Sequence, residues 1–323
     1  MKAAVYTSYG APEVIEMKDL EKPVPKPNEV LLNVRAASVN PLDWHFLRGR
    51  PYPVRLVTGL GRPKLPVLGV DVAGVVEAVG AQVTQINRGD HVFGSCRGAF
   101  AEYVCAPESV LVKKPDNVSF EQAASVPVAS YTSLQCLRDK GHIQSGHKVL
   151  INGAAGGVGT FAVQIAKSFG AEVTGVCSTR NVEPVRSIGA DHAIDYTQED
   201  FTQSIPRYDI LLDLIGNHSL SAIRRILNPR GVCITAGGEA GNWMLDSIAR
   251  SIKALVLSQM TSQRFDGCLA KANQADLLVM QALLQSGKVA PVIDRRYRLS
   301  QVPEAISYLE AGHARGKVLI VLE

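Results

Sequence analysis

The chain has 323 residues, more than one hydrophobic core usually holds, so two domains are expected. Charged residues make up 20% and the net charge is +4, with Lys and Arg scattered rather than grouped into a basic block, which argues against a nucleic-acid partner. No apolar run reaches the ~18–20 residues of a membrane-spanning helix, Met1–Tyr6 lacks the apolar stretch of a secretion signal, and the six cysteines are widely spaced with no CxxC, so a cytoplasmic protein with unpaired thiols and no membrane span is expected.

Met1–Tyr6 reads as a first strand. The first ~120 residues alternate short apolar runs (Glu29–Val34, Val67–Gly80, Asp90–Gly94) with Pro, Gly and Asn, the punctuation of a β-rich domain. Near Ser119 the texture changes. Ser119 is a plausible N-cap for a helix over Phe120–Arg138. Lys148–Asn152 then reads as a strand, Gly159–Phe169 as a helix, Glu172–Cys177 as a second strand, Tyr208–Leu214 as a third and Gly231–Thr235 as a fourth. Strands alternating with helices predict a doubly wound α/β domain with a parallel sheet. The last ~30 residues return to strands at Arg295–Leu299 and Lys317–Leu322 around a helix at Val302–Ala311, and are expected to rejoin the first domain.

Lys148-Val-Leu-Ile-Asn-Gly-Ala-Ala-Gly-Gly-Val-Gly-Thr160 is a glycine-rich turn between a strand and a helix. Such a turn binds dinucleotides: Gly156 lets the backbone approach a pyrophosphate, Gly159 permits close helix packing, and the helix N-terminus offers free N–H groups. Ala155, Gly157 and Val158 complete the turn. Ala154 stands where the motif has its first glycine. After the second strand an NAD enzyme usually carries a carboxylate for the ribose 2′-hydroxyl. Here Cys177-Ser178-Thr179-Arg180 offers hydroxyls and a guanidinium, which suit the 2′-phosphate of NADPH.

Val39-Asn40-Pro41-Leu42-Asp43, Leu68–Val76, Gly98–Tyr103, Ala154–Gly159, Gly189–Tyr196 and His313-Ala-Arg-Gly-Lys317 together identify a resemblance over essentially the whole chain. The chain resembles the medium-chain dehydrogenase/reductases, in their zinc-free quinone oxidoreductase and enone reductase (zeta-crystallin-like) branch. The resemblance implies a GroES-like catalytic domain over residues 1–122, a Rossmann-type NADPH-binding domain over 123–289, and a return to the catalytic domain over 290–323. The alcohol dehydrogenase branch holds zinc with a Cys after its early strand and a His-Glu pair; this chain has Asn40 and Val70-Asp71, so no metal is expected.

By the same resemblance Asn40 lies beside the nicotinamide, where its amide would donate to substrate or cofactor; the plainer alternative is a turn-capping Asn before Pro41. Tyr52 is the candidate pocket phenol, as a donor or as lining. Thr132 would abut the nicotinamide and Tyr196 the 2′-phosphate. Gly216, Gly237 and Gly238 end later strands where an open α/β sheet binds its ligand, and Arg315 would reach the cofactor. The implied activity is NADPH-dependent, zinc-free reduction of small quinones or α,β-unsaturated carbonyls. The alternatives are an enoyl-thioester reductase and a non-catalytic NADPH-binding redox sensor. A homodimer is implied, with Gly231–Gly238 near its edge.

Overall fold

The computed structural model describes residues 1–203, 206–237 and 261–322. It divides into two compact units, Met1–Val128 with Ala272–Glu323, and Ala129–Lys271.

In the first unit β1 (Lys2–Tyr6) pairs antiparallel with β2 (Ile15–Asp19). The long strand β3 (Glu29–Val39) is the spine of a seven-stranded sheet. It pairs with β4 (Asp71–Val79) and β6 (Tyr103–Pro107), β4 continues to β5 (His91–Ser95), and β5 to β7 (Leu111–Lys113). On the edge of β3 away from β4, β6 pairs with its first residues and β15 (Lys317–Val321) with its last, and β15 is followed by β14 (Ile293–Arg298). The C-terminal strands therefore join the sheet of the N-terminal residues. Alternate residues of β3, Val30, Leu32 and Val34, enter one core with Val72, Val92, Phe100, Val318 and Ile320.

Helices α1 (Pro41–Arg48) and α2 (Val54–Thr58) follow β3. The predicted helix over Phe120–Arg138 is three pieces: α3 (Phe120–Ala124), α4 (Pro127–Leu134) and a π-helical turn, Gln135–Lys140. Pro127 is the reason for the first break, since it disfavours helical geometry in the residue before it. Ser119 caps α3 by accepting from Gln122 N at 3.1 Å.

The second unit is built on a parallel sheet of β8 (Lys148–Asn152), β9 (Glu172–Cys177), β10 (His192–Asp195), β11 (Tyr208–Asp213), β12 (Leu227–Thr235) and β13 (Arg264–Gly267), in the order 10-9-8-11-12-13. Every pairing in it is parallel. The middles of β8 (Val149, Leu150, Ile151) and β11 (Ile210, Leu211, Leu212) are wholly apolar because both faces are covered, as in other parallel sheets. The outermost described strand is β13, so Val232–Thr235 is paired on both sides; Gly238, the end of that expected edge segment, lies outside the described residues. Helices α5 (Gly157–Ser168), α6 (Val182–Ser187) and α7 (Leu220–Ile226) cross between strands. Helix α8 (Gln274–Gln285) falls in the first unit, as does α9 (Val302–Glu310).

Candidate functional site

The parallel register places the ends of β8, β9, β11 and β12 side by side, at Asn152, Val176, Asp213 and Thr235. The turns leaving these ends carry Gly156, Ser178–Arg180, Gly216 and Gly237, so most of the expected cofactor residues of the second unit share one edge of its sheet. Gly238 lies outside the described residues. Asp213 ties this edge together: its Oδ1 accepts from Asn152 Nδ2 at 2.9 Å and from Gly216 N at 2.8 Å.

At the first turn, Gly156 precedes α5, which has no side-chain cap and no acidic residue in its first turn. That helix end offers N–H groups and a positive dipole end to an anion. A Cβ on Gly156 would meet nothing closer than 3.5 Å, whereas a Cβ on Gly159 would lie 2.1 Å from Gly153 O and 2.8 Å from Ala154. Only glycine at 159 lets α5 start against the strand end. Ala154 fits in place of the usual first glycine because β9 presents Gly175 opposite; a Cβ there would lie 2.9 Å from that of Ala154 and 2.5 Å from Val185. The residues present thus suit a pyrophosphate.

After β9 the three expected phosphate contacts differ. Arg180 is exposed. Ser178 Oγ accepts from Asn181 Nδ2 at 3.1 Å, and Thr179 Oγ1 is 3.0 Å from Thr197 Oγ1, which itself bonds Asp195 Oδ1 at 2.8 Å. Asp195, aligned with Cys177 across the sheet, is a carboxylate brought close by the neighbouring strand β10 rather than by β9. Hydrogen bonds from Thr179 and Thr197 hold its carboxyl below the usual range. The ring of Tyr196 is 60% exposed, and Thr132 is a half-buried residue of α4.

The first unit gathers a different cluster. β3 runs antiparallel to β4 and β15, so the end of β3 meets the beginnings of the other two, with Ser38 opposite Asp71 and Val39 opposite Val318. Asn40, Asp71 and Lys317 come together there, 2%, 0% and 3% exposed. Lys317 Nζ donates to Asn40 Oδ1 at 2.6 Å and to Asp71 Oδ2 at 3.3 Å. Asp71 Oδ2 also accepts from Ser38 Oγ at 2.6 Å and Asn40 Nδ2 at 2.9 Å, and its Oδ1 accepts from Val128 N at 3.0 Å. Gly316, at φ +106°, makes the approach possible; a Cβ there would lie 2.4 Å from Val292 O.

The side chain of Asn40 is engaged within this cluster. Its Nδ2 hydrogens go to Asp71 and to Ser38 O at 3.3 Å, and its Oδ1 is taken by Lys317. A buried amide with both ends occupied positions its neighbours rather than donating outward. Asn40 also starts α1, where its N–H donates to Asp43 Oδ2 at 2.8 Å. Burial, with the Asp71 charge adding to it, pushes the Asp43 carboxyl up to about 7.

Tyr52 is 60% exposed, with the guanidinium groups of Arg50 and Arg55 over its ring at 5.8 and 5.2 Å. It does not line the cavity of about 270 Å³ in the first unit, whose walls include Phe46, Val57, Leu65 and Leu68, with Lys64 and Arg97 adding positive charge. Arg315 is exposed, and its N–H donates to Asp294.

Sequence comparison places the chain. Residues 26–116 match the model of the alcohol dehydrogenase GroES-like domain and residues 188–320 that of the zinc-binding dehydrogenases. The chain is 34% identical to the 2-methylene-furan-3-one reductase of Solanum lycopersicum (99% of this chain, 79% of the relative). It is 33% identical to the chloroplastic NADPH-dependent alkenal/one oxidoreductase of Arabidopsis thaliana, with the same coverage. The solved quinone oxidoreductase of Coxiella burnetii superposes with a TM-score of 0.87 at 31% identity, covering 100% of this chain and 99% of that one. The chain belongs to the medium-chain dehydrogenase/reductase family, in its quinone oxidoreductase and enone reductase branch. It has that family's fold of a GroES-like domain and a Rossmann-type parallel sheet, and it is an oxidoreductase.

The zinc implied by one of these family descriptions does not fit the residues. Where zinc-using members have a thiolate and an imidazole, this chain has Asn40 and Val70, with an ammonium group already bonded to Asn40 and Asp71. The nearby Cys96 thiol is pushed up by burial and by the charges of Asp71 and Asp43, which disfavours the thiolate a metal needs. Among the described residues no group of three or more His, Cys, Asp or Glu is placed to hold a metal.

Lys317→Met should strip Asp71 of its buried counter-charge and cost about 3–5 kcal/mol. Lys317→Met combined with Asp71→Leu should recover much of that loss. Urea unfolding of the three proteins checks this; a single variant as stable as wild type would mean that the pair contributes nothing.

Proposed function

We propose that the chain is an NADPH-dependent reductase of quinones or α,β-unsaturated carbonyls that works without zinc. The observation that carries this reading is the make-up of the polar cluster in the first unit, which has a lysine ammonium among the positions where zinc-using members keep their ligands. Alcohol oxidation benefits from a Lewis acid on the developing alkoxide. A conjugated carbonyl or quinone spreads the incoming charge onto its own oxygen and needs orientation and a donor instead. The names of the Solanum and Arabidopsis relatives point the same way.

NADPH supplies the hydride when bound. The uncapped start of α5, with Ala155, Gly156, Gly157 and Val158, receives the pyrophosphate. Arg180 receives the 2′-phosphate, aided by Ser178 and Tyr196; Thr132, Gly216, Gly237, Gly238 and Arg315 complete the cofactor contacts. Asn40, with Asp71 and Lys317, acts as a positioning residue at the end of β3. The apolar cavity of the first unit takes the body of the substrate, and Lys64 and Arg97 face its oxygens. Tyr52 keeps an auxiliary role at most, since it lies outside that cavity's lining. We place the protein in the cytoplasm as a homodimer; the free cysteines suit a reducing compartment, and no helix of the described residues is long and apolar enough to cross a membrane.

The test of the reaction is steady-state turnover. Quinones or enones with NADPH should be reduced, and primary alcohols with NADP⁺ should be poor substrates; efficient alcohol oxidation would overturn the reading.

The test of cofactor choice is Arg180→Ala. A charge-assisted hydrogen bond contributes about 1.5–3 kcal/mol and each 1.4 kcal/mol is about tenfold, so NADPH binding should weaken by roughly 10–100-fold while NADH binding stays nearly unchanged. Equal weakening of both cofactors would place the 2′-phosphate elsewhere.

A further inference from the structure

The polar side chains in the wall of the first unit's cavity are Tyr6, Thr58, Lys64 and Arg97. Thr58 Oγ1 donates to Val54 O at 3.1 Å and lies 2.8 Å from the Tyr9 hydroxyl, so it is engaged within the protein. Lys64 and Arg97 are exposed, and water solvates their charges. Tyr6 differs from all of these. It is 3% exposed, and its hydroxyl has no hydrogen-bond partner among the described residues. Nor is that hydroxyl sealed away. Ser95 Oγ and Asn181 Oδ1 are enclosed polar atoms without a partner, and the Tyr6 hydroxyl is not among such atoms. It therefore opens into space, and the space that Tyr6 borders is this cavity.

The strand places it there. Alternation along β1 turns Ala4 and Tyr6 to the main core and Ala3 and Val5 to the opposite face. The N–H of Tyr6 donates to Pro66 O at 2.8 Å, which lays the strand end against the segment carrying Val67 and Leu68, two more residues of the cavity wall. Burial, with the nearby Tyr9 and Asp43, pushes the phenol up to about 12, so it keeps its proton at neutral pH. A phenylalanine would fill the same core position without burying an unsatisfied hydroxyl.

We propose that the Tyr6 hydroxyl is a further catalytic group of the reduction, donating a hydrogen bond to the acceptor oxygen that gathers negative charge. This rests on the reading of the cavity as the seat of the acceptor. With an enone, the hydride from NADPH enters the β-carbon with its electron pair, leaving NADP⁺. The C=C pair shifts to join the α-carbon to the carbonyl carbon, and the C=O pair moves onto oxygen, giving an enolate. Tyr6 keeps its proton and shares it with that oxygen. A proton from water then joins the α-carbon, completing the saturated ketone. With a quinone the hydride gives a hydroquinone monoanion, and water supplies the remaining proton. An enolate is the more basic of the two anions, so the donor matters more for enones.

The experiment compares wild type with Tyr6→Phe, which removes one oxygen and keeps the ring. With NADPH and cyclohexenone, kcat should fall by roughly 100–1000-fold, and with NADPH and menadione by about tenfold or less. NADPH affinity and the unfolding midpoint should stay near wild type. An unimpaired variant, or an equal loss with both acceptors, would overturn the proposal. A second arm needs only wild type: the infrared carbonyl band of isotope-labelled cyclohexenone, bound with NADP⁺ so that nothing is reduced, should lie as low as in water. A band at its frequency in an apolar solvent would mean that no donor reaches the oxygen, and would overturn the proposal even if the variant did not fold. Wild type that reduces neither acceptor would remove the reaction and this inference with it; wild type that reduces both, with Tyr6→Phe equally fast, would remove only the role of Tyr6.

Discussion

The buried ion pair between Lys317 and Asp71 is the constraint around which the first unit is arranged. Moving a lysine and an aspartate from water into a protein interior costs several kcal/mol per ion, recovered only if almost every donor and acceptor is matched. Here they are matched by residues far apart in sequence: Ser38 of β3, Asn40 at the start of α1, Val128 N from the start of α4, and Lys317 from the last strand. The C-terminal residues therefore do more than add a strand to the sheet. They deliver the cation without which the Asp71 carboxylate would stand uncompensated at 0% exposure.

That arrangement has a chemical consequence. The family supports both zinc-dependent and zinc-free reactions on one scaffold, and fold alone does not choose between them. The choice is written in side chains. An amide and a valine replace the thiolate and imidazole, and a lysine paired with Asp71 occupies the amide oxygen. In the second unit the corresponding constraint is steric. Gly159 has no space for a Cβ against Gly153 O, so α5 begins hard against the strand end and presents an uncapped N-terminus.

Much of this was legible in the sequence. The mostly apolar runs Lys148–Asn152 and Glu172–Cys177 coincide with observed strands, because a strand buried on both faces carries apolar residues on both. The weakly apolar strand β10, half-buried only along Ala193–Asp195, gives no such signal, and neither does the position of Asp195 beside Thr179 and Thr197. The interior break at Pro127 was available from local chemistry, yet the helical texture on either side of it masked the boundary. The role of Lys317 was not legible: a lysine opening a C-terminal strand looks like a surface residue until the antiparallel register carries it to Asp71, some 250 positions away. The same long-range pairing explains why Asn40 reads as an outward donor in sequence and is an internally satisfied amide in structure.

The claim at the centre of this account is that this chain transfers hydride to a conjugated acceptor without a metal. The most direct measurement is the zinc content of protein purified without chelator, read together with NADPH-dependent quinone or enone turnover before and after chelation. The account predicts zinc well below one per chain and turnover unchanged by the chelator. One tightly held zinc per chain, with turnover lost on its removal and restored on its return, would contradict it.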